Sequence, residues 1–164
     1  MGENIFRGSL NRILHLMARF GPGATTLRPF LHKLRGVKIN GKVFIGDDVY
    51  LENAYPECIE INDGAQIALR TNVISHFRGV GKIIIGKNVW IGMSCNIAAA
   101  PGQILNIYEG AVVGMGSTVI RDVPPFTFVV GSPAKPIYKV TIPMTLETSF
   151  EEWKSGLIPI KNNK

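Results

Sequence analysis

In the stretch Lys82-Ile-Ile-Ile-Gly-Lys-Asn-Val-Trp-Ile-Gly92, Ile85 and Ile91 stand six residues apart and each is followed by glycine. Stepping outward in sixes reaches Ile61, Ile67, Val73 and Gly79 on one side and Ile97 on the other. The same step links Ile39, Ile45 and Leu51, and then Ile107, Val113 and Val119. Twelve of these 13 positions are Ile, Leu or Val, and the breaks at 51–61 and 97–107 each equal six residues plus four. Glycine follows the aliphatic at Gly46, Gly86, Gly92 and Gly114. Four residues after the aliphatic the side chain is mostly small or β-branched, as at Val49, Ala65, Thr71, Cys95 and Ser117, with Tyr55, Phe77 and Pro101 as exceptions.

A period of six matches neither the 3.6 of an amphipathic helix nor unbroken two-residue alternation. It matches short strands joined by tight corners, each strand sending one aliphatic inward, with glycine and small residues relieving crowding where the chain turns. Stacked coils of this kind bury a continuous aliphatic column, each coil covering the next. A sandwich of short strands would need a fortuitous register to give the same series.

The chain is 164 residues and 18.0 kDa, which suits one domain. A net charge of +6 and a pI near 9.5 point to a ligand or partner carrying negative charge. Two cysteines, Cys58 and Cys95, are too few for a disulfide framework, so a reducing, cytoplasmic setting is expected. No apolar run reaches the roughly 18 residues of a membrane span. Met1-Gly2-Glu3-Asn4 lacks the basic region and apolar core of a signal peptide.

The repeat resembles that of the hexapeptide-repeat acyltransferases, and within them the sugar and polysaccharide O-acetyltransferases. The resemblance covers residues 37–139. It is most specific in residues 82–92 and in Gly114-Met-Gly-Ser-Thr-Val-Ile-Arg-Asp-Val-Pro-Pro125, followed by Val130-Gly-Ser-Pro-Ala-Lys135. It implies an all-β, left-handed parallel β-helix; handedness comes from the resemblance alone, because generic crossovers are right-handed. Residues 1–36 then form a helical, basic cap. Leu10, Ile13, Leu14, Met17 and Phe20 recur there at helical spacing, and Gly21-Pro22-Gly23 ends the segment. Such a cap would close the open end of the coil; a basic docking surface for a membrane or partner is the alternative. Residues 140–164 form a C-terminal arm, with Phe150 and Trp153 packing on the body and Lys161–Lys164 fraying.

Of three histidines only His76 lies inside the repeat, in Val73-Ile-Ser-His-Phe-Arg-Gly-Val-Gly81, where the series loses its aliphatic at Gly79. A polar interruption of a rigid scaffold is a place for a site, although a surface histidine in a turn reads equally well from the residues. The resemblance implies a catalytic His76. An imidazole can take the proton of an acceptor hydroxyl as it attacks a thioester, and backbone N–H groups can hold the oxyanion. Direct transfer in a ternary complex is implied, with Cys95 on a core position and Cys58 in an insertion, both structural. Glu52 stands where many relatives carry an acceptor-contacting Asn; it could orient His76 or bind the acceptor, with Asn53 and Asn72 as weaker acceptor contacts.

The resemblance also implies acetyl-CoA as donor, without a metal. Its arm would run near Trp90, Met93, Gly114 and Met115, and its phosphates near Ile120, Arg121, Lys135 and Lys139. Tyr138 replaces an Arg that is common in relatives. A homotrimer with sites between subunits is implied, and membrane contact is at most peripheral. Rival readings are N-acetylation of an amino sugar and a non-catalytic scaffold. A zinc carbonic anhydrase of this fold would need three histidines in the coil. The basic residues form no stripe with interleaved aromatics, so nucleic-acid binding is not expected.

Overall fold

Each short β-branched run forms a two- to four-residue strand, and the turns between them fold the chain into triangular coils. The computed structural model describes residues 5–160; Met1–Asn4 and the fraying expected of Lys161–Lys164 lie outside them. Two helices, α1 (Ile5–Phe20) and α2 (Leu27–Leu34), precede the coils. The first coil holds β1 (Lys38–Ile39), β2 (Phe44–Ile45) and β3 (Tyr50–Leu51); the second β4 (Ile59–Ile61), β5 (Gln66–Ile67) and β6 (Asn72–Ile74). The third holds β7 (Lys82–Ile85), β8 (Trp90–Ile91) and β9 (Asn96–Ala98); the fourth β10 (Ile104–Ile107), β11 (Val112–Val113) and β12 (Thr118–Val119).

The strands stack in parallel into three faces, β1-β4-β7-β10, β2-β5-β8-β11 and β3-β6-β9-β12, the architecture of a left-handed parallel β-helix. β4, β7 and β10 each point two aliphatics inward and the shorter strands one, so Ile45, Ile67 and Ile91 form one column and Leu51, Val73 and Ile97 another, all buried. Glycine after the aliphatic answers a close approach between coils. A Cβ on Gly92 would lie 2.7 Å from the Met115 nitrogen, and one on Gly46 2.7 Å from the Leu69 nitrogen.

Ile39 pairs with Ile61, Ile61 with Ile85, and Ile85 with Ile107, giving turns of 22, 24 and 22 residues. Three hexads account for 18. All the extra residues fall at one corner, between the third face and the first, as loops 52–58, 75–81 and 99–103. Gly79 therefore is not a core position. It lies in a six-residue insertion whose length leaves the hexad count undisturbed, and its backbone packs against Pro101 of the next loop.

After the fourth coil, β13 (Thr127–Gly131) adds a rung to the second face, and β14 (Ala134–Val140) and β15 (Leu157–Pro159) extend that sheet antiparallel. With helix α3 (Phe150–Ser155) they cover the outside of the face. Trp153 is buried there with Val112 and Val140, and Trp90, Phe128, Met144 and Leu157 pack on them. Trp153 packs as expected of the arm, whereas Phe150 stays mostly exposed.

At the other end, groups of the first coil that face away from the second coil are met by the helices. The Ile45 N–H donates to Ala24 O at 2.8 Å, Asp48 N–H to Arg19 O at 2.9 Å, and Arg28 Nη1 donates to Ile45 O at 3.1 Å. The cap presents its polar side to the coil. His15, Arg28, His32 and Arg35 are buried while Leu10, Ile13, Met17, Phe20, Phe30 and Leu34 are exposed. Burying arginines here is favourable because the coil end offers carbonyl acceptors that apolar side chains could not satisfy. No helix among the described residues is long and apolar enough to cross a membrane.

Candidate active site

The three inserted loops and the short 120–122 turn of the next rung stand one above another along a single edge. His76 is on the second of them. Loop 75–81 is pinned at its root: Gly81 N–H donates to Ser75 O at 2.7 Å, and His76 and Val80 form a bridge. Beyond the root the loop projects outward, and His76, Phe77 and Arg78 are exposed. The His76 ring lies 5.0 Å from the ring of Tyr55, centroid to centroid, which arises from the first inserted loop. Nothing in the sequence marked Tyr55 as a site residue. The available signal was that Tyr55, Phe77 and Pro101, the three exceptions to the small-residue rule, all lie in these loops.

Glu52 is buried, and its carboxylate accepts from Ala54 N–H at 2.8 Å and from Ser75 N–H at 3.1 Å. Its hold is thus on the backbone beside His76. Among the described residues no hydrogen bond reaches the imidazole itself, so Glu52 does not orient the ring directly. Under Glu52 lies Arg35, whose guanidinium donates to Glu52 O at 2.7 Å, Asn11 Oδ1 at 2.8 Å and Asn53 Oδ1 at 3.4 Å, and is 2.9 Å from His32 Nδ1. Burial lowers the Arg35 pKa to about 10, offset by the Tyr50 and Glu52 charges, so it stays a cation at neutral pH. Asn53 is thereby committed to the cap. Asn72 lies on the third face, donating to Asn96 Oδ1 at 3.0 Å.

Two rungs above loop 75–81, about 10 Å along the axis, a cavity of about 180 Å³ opens between the 120–122 turn and residues 133–136. Ile120, Arg121, Asp122, Ala134 and Lys135 are among the residues that line it. Ile120, Arg121 and Lys135 are brought together at this cavity. Lys139 belongs to β14 and does not line this cavity. Met93 and Met115 are exposed neighbours at a different corner, between the second and third faces, with Gly114 buried beneath. Trp90 is not brought to either place: its side chain packs under the C-terminal arm. Burial raises the pKa of both Cys58 and Cys95, and Cys95 Sγ donates to Gly114 O at 3.2 Å.

A scan of the sequence against models of known protein families finds no match. Over 106 residues, 63% of the chain, the sequence is 38% identical to a Schizosaccharomyces pombe protein named "Putative acetyltransferase", of which the match covers 44%. The chain spans less than half the length of the curated relatives it matches. Among solved structures it resembles a maltose O-acetyltransferase from Clostridium difficile, with a TM-score of 0.59 and 21% identity over 85% of this chain and 87% of that one. It also resembles a hexapeptide-repeat acetyltransferase from Vibrio cholerae in complex with acetyl-CoA, with a TM-score of 0.52 and 21% identity over 80% and 86%. At that identity the structural likeness is one of fold. The chain thus has the hexapeptide-repeat fold of these acetyltransferases and is related in sequence, over much of its length, to proteins named as acetyltransferases.

Proposed function

We propose that the protein is an acetyl-CoA-dependent acetyltransferase, acting in the cytoplasm on a hydroxyl of a sugar or of a polysaccharide or lipopolysaccharide precursor. The observation that carries this reading is an exposed imidazole on a backbone-pinned loop, on the same edge as a cavity lined by Arg121 and Lys135. The relatives' names and the acetyl-CoA complex of a protein of like fold support the donor.

In the proposed reaction the His76 imidazole accepts the acceptor's hydroxyl proton while its oxygen attacks the thioester carbonyl. The tetrahedral intermediate collapses, the C–S bond breaks, and the leaving thiolate takes the proton back from the imidazolium. No net proton is consumed. Raised thiol pKa values at Cys58 and Cys95 argue against an acyl-cysteine route, because the thiolate is the nucleophile. Arg121 and Lys135 would meet the phosphates of the donor. The cavity is smaller than the roughly 300–1,000 Å³ usual for ligand sites, which favours a site completed by a neighbouring subunit, as in a homotrimer. Met93, Met115 and Lys139 would then serve from the adjoining chain. Trp90, covered by its own arm, is left out of this reading.

The test is thiol release from acetyl-CoA with a panel of sugars, nucleotide sugars and lipid-linked sugars. His76→Ala is expected to lower acceptor-dependent turnover by roughly 10²–10⁴-fold without lowering the melting temperature, since the side chain is exposed. Turnover unchanged in that variant sinks the assignment of the base. An amino-sugar acceptor giving an amide product would identify N-acetylation by the same base. No binding of acetyl-CoA at all would leave the non-catalytic scaffold reading.

A further inference from the structure

The helical cap carries most of the molecule's net positive charge and leaves an apolar outer face uncovered. Residues 1–36 hold six Lys and Arg against one acidic residue, a balance of +5, whereas residues 37–164 hold twelve against eleven, a balance of +1. No acidic residue occurs between Glu3 and Asp47. Three cap arginines are used inward. Arg19 pairs with Asp48, Arg28 with Asp47, and Arg35 lies among carbonyl oxygens. Arg12 and Lys33 are exposed. On the same two helices Leu10, Ile13, Met17 and Phe20 of α1 and Phe30 and Leu34 of α2 are each more than half exposed; Phe20 reaches 64%. Helical spacing gathers these side chains on the outward side, opposite the buried His15 and Ala18. Exposed apolar patches of this breadth mark interaction sites.

We propose that this face docks on an anionic lipid bilayer, lying in the headgroup region with the coil axis leading away from it. Charge complementarity chooses the occupant. A second copy seated symmetrically on the same face would oppose one acid-poor, cationic surface with another, and like charges across an interface are repelled. Anionic headgroups instead attract Arg12 and Lys33 while the acyl boundary accepts the leucine, isoleucine and phenylalanine side chains. The helices themselves stay anchored to the coil by Arg28 and Arg35, so the whole body would be carried to the surface. This inference stands on the cap alone and does not depend on the acetyltransferase reading.

The experiment is co-sedimentation of the full chain with vesicles of phosphatidylcholine, with and without about a third phosphatidylglycerol. The chain is expected to sediment with the anionic vesicles and to be released by high salt. Phe20→Asp with Phe30→Asp should weaken binding at least tenfold with circular dichroism unchanged, because both side chains are exposed. Arg12→Gln and Lys33→Gln should each weaken it about fivefold, an independent measure that leaves the apolar face intact. Wild-type chain remaining in the supernatant with anionic vesicles would overturn the proposal. So would equal binding by the aspartate variant. An oligomer that the aspartate variant dissolves, with no vesicle binding by the wild type, would assign the face to contact between copies instead.

Discussion

Glu52 occupies a position where side-chain chemistry and backbone geometry meet. Its two oxygens serve Ala54 and Ser75 rather than the imidazole, so it acts on His76 through the loop root. Glu52→Gln keeps the shape but turns one acceptor into a donor facing a backbone N–H. The expected result is a loss of about 1–3 kcal/mol of stability, the cost of a buried unsatisfied pair. Displacing the loop should also lower kcat, roughly 10–100-fold for a shift on the ångström scale. The KM for acetyl-CoA should hold, because loop 75–81 lines no part of the cavity at Arg121 and Lys135. Urea titration together with steady-state kinetics checks both halves. A raised KM at constant kcat would mean that Glu52 contacts substrate instead.

At the scale of the coil, glycine at the position after the aliphatic has a steric cause that can be separated from backbone freedom. Gly92→Ala drives a Cβ to within 2.7 Å of the Met115 backbone nitrogen, which cannot yield without moving the next rung. Overpacking of this kind costs about 1–3 kcal/mol. Gly102 has a φ of +73° and open space around it, so Gly102→Ala should cost about 1 kcal/mol from conformation alone. If thermal melts rank the two the other way, coil contact is not the reason for the glycine. These repeats are also what made the fold legible. Ile85 and Ile91 with their glycines specify a rung that depends only on its neighbours, so local pattern and global architecture coincide. Legibility ended where spacing lost meaning. The insertion holding Gly79 was six residues long and looked like one more repeat. Trp90, which the resemblance places along the arm of the donor, is instead covered by the chain's own C-terminal arm, through Trp153 and Val140. His76 stood out as the lone coil histidine, but its neighbour Tyr55 comes from a loop 21 residues earlier, and such proximity is set by the length of the turn. The spacing of Leu10, Ile13 and Met17 predicts the helix of the cap, yet spacing alone does not say that its polar side faces inward. That depends on the carbonyls of Ile45 and Leu51 at the coil end, which accept from Arg28 and Arg35.

For the molecule as a whole, two buried histidines tie stability to pH. His15 and His32 are lowered to about 3, first by burial and then by the Arg35 charge, with each other's rings 6.1 Å apart. In the unfolded chain each titrates near 6.5. Between those values the unfolded state binds protons that the folded state does not. Stability is therefore fully present above about pH 6.5 and is lost as the pH falls toward 3, by about 1.4 kcal/mol per pH unit for each histidine. By pH 5 the loss is roughly 2 kcal/mol each, a large share of the 5–15 kcal/mol typical of a domain. Among the described residues no hydrogen bond of normal geometry reaches either ring nitrogen of His15, so His15→Leu should be tolerated at neutral pH and should halve the slope. The loss should begin at one end, because a stack of repeats unravels where a unit has a single neighbour. The Ile45 and Asp48 amides, whose acceptors are Ala24 O and Arg19 O of the cap, should lose hydrogen-exchange protection on acidification before the Gly92 amide, which donates to Val113 O inside the coil. Simultaneous loss at all three would show that the cap and coil melt as one unit, and an acid-insensitive urea midpoint would show that the buried imidazoles are not the titrating groups.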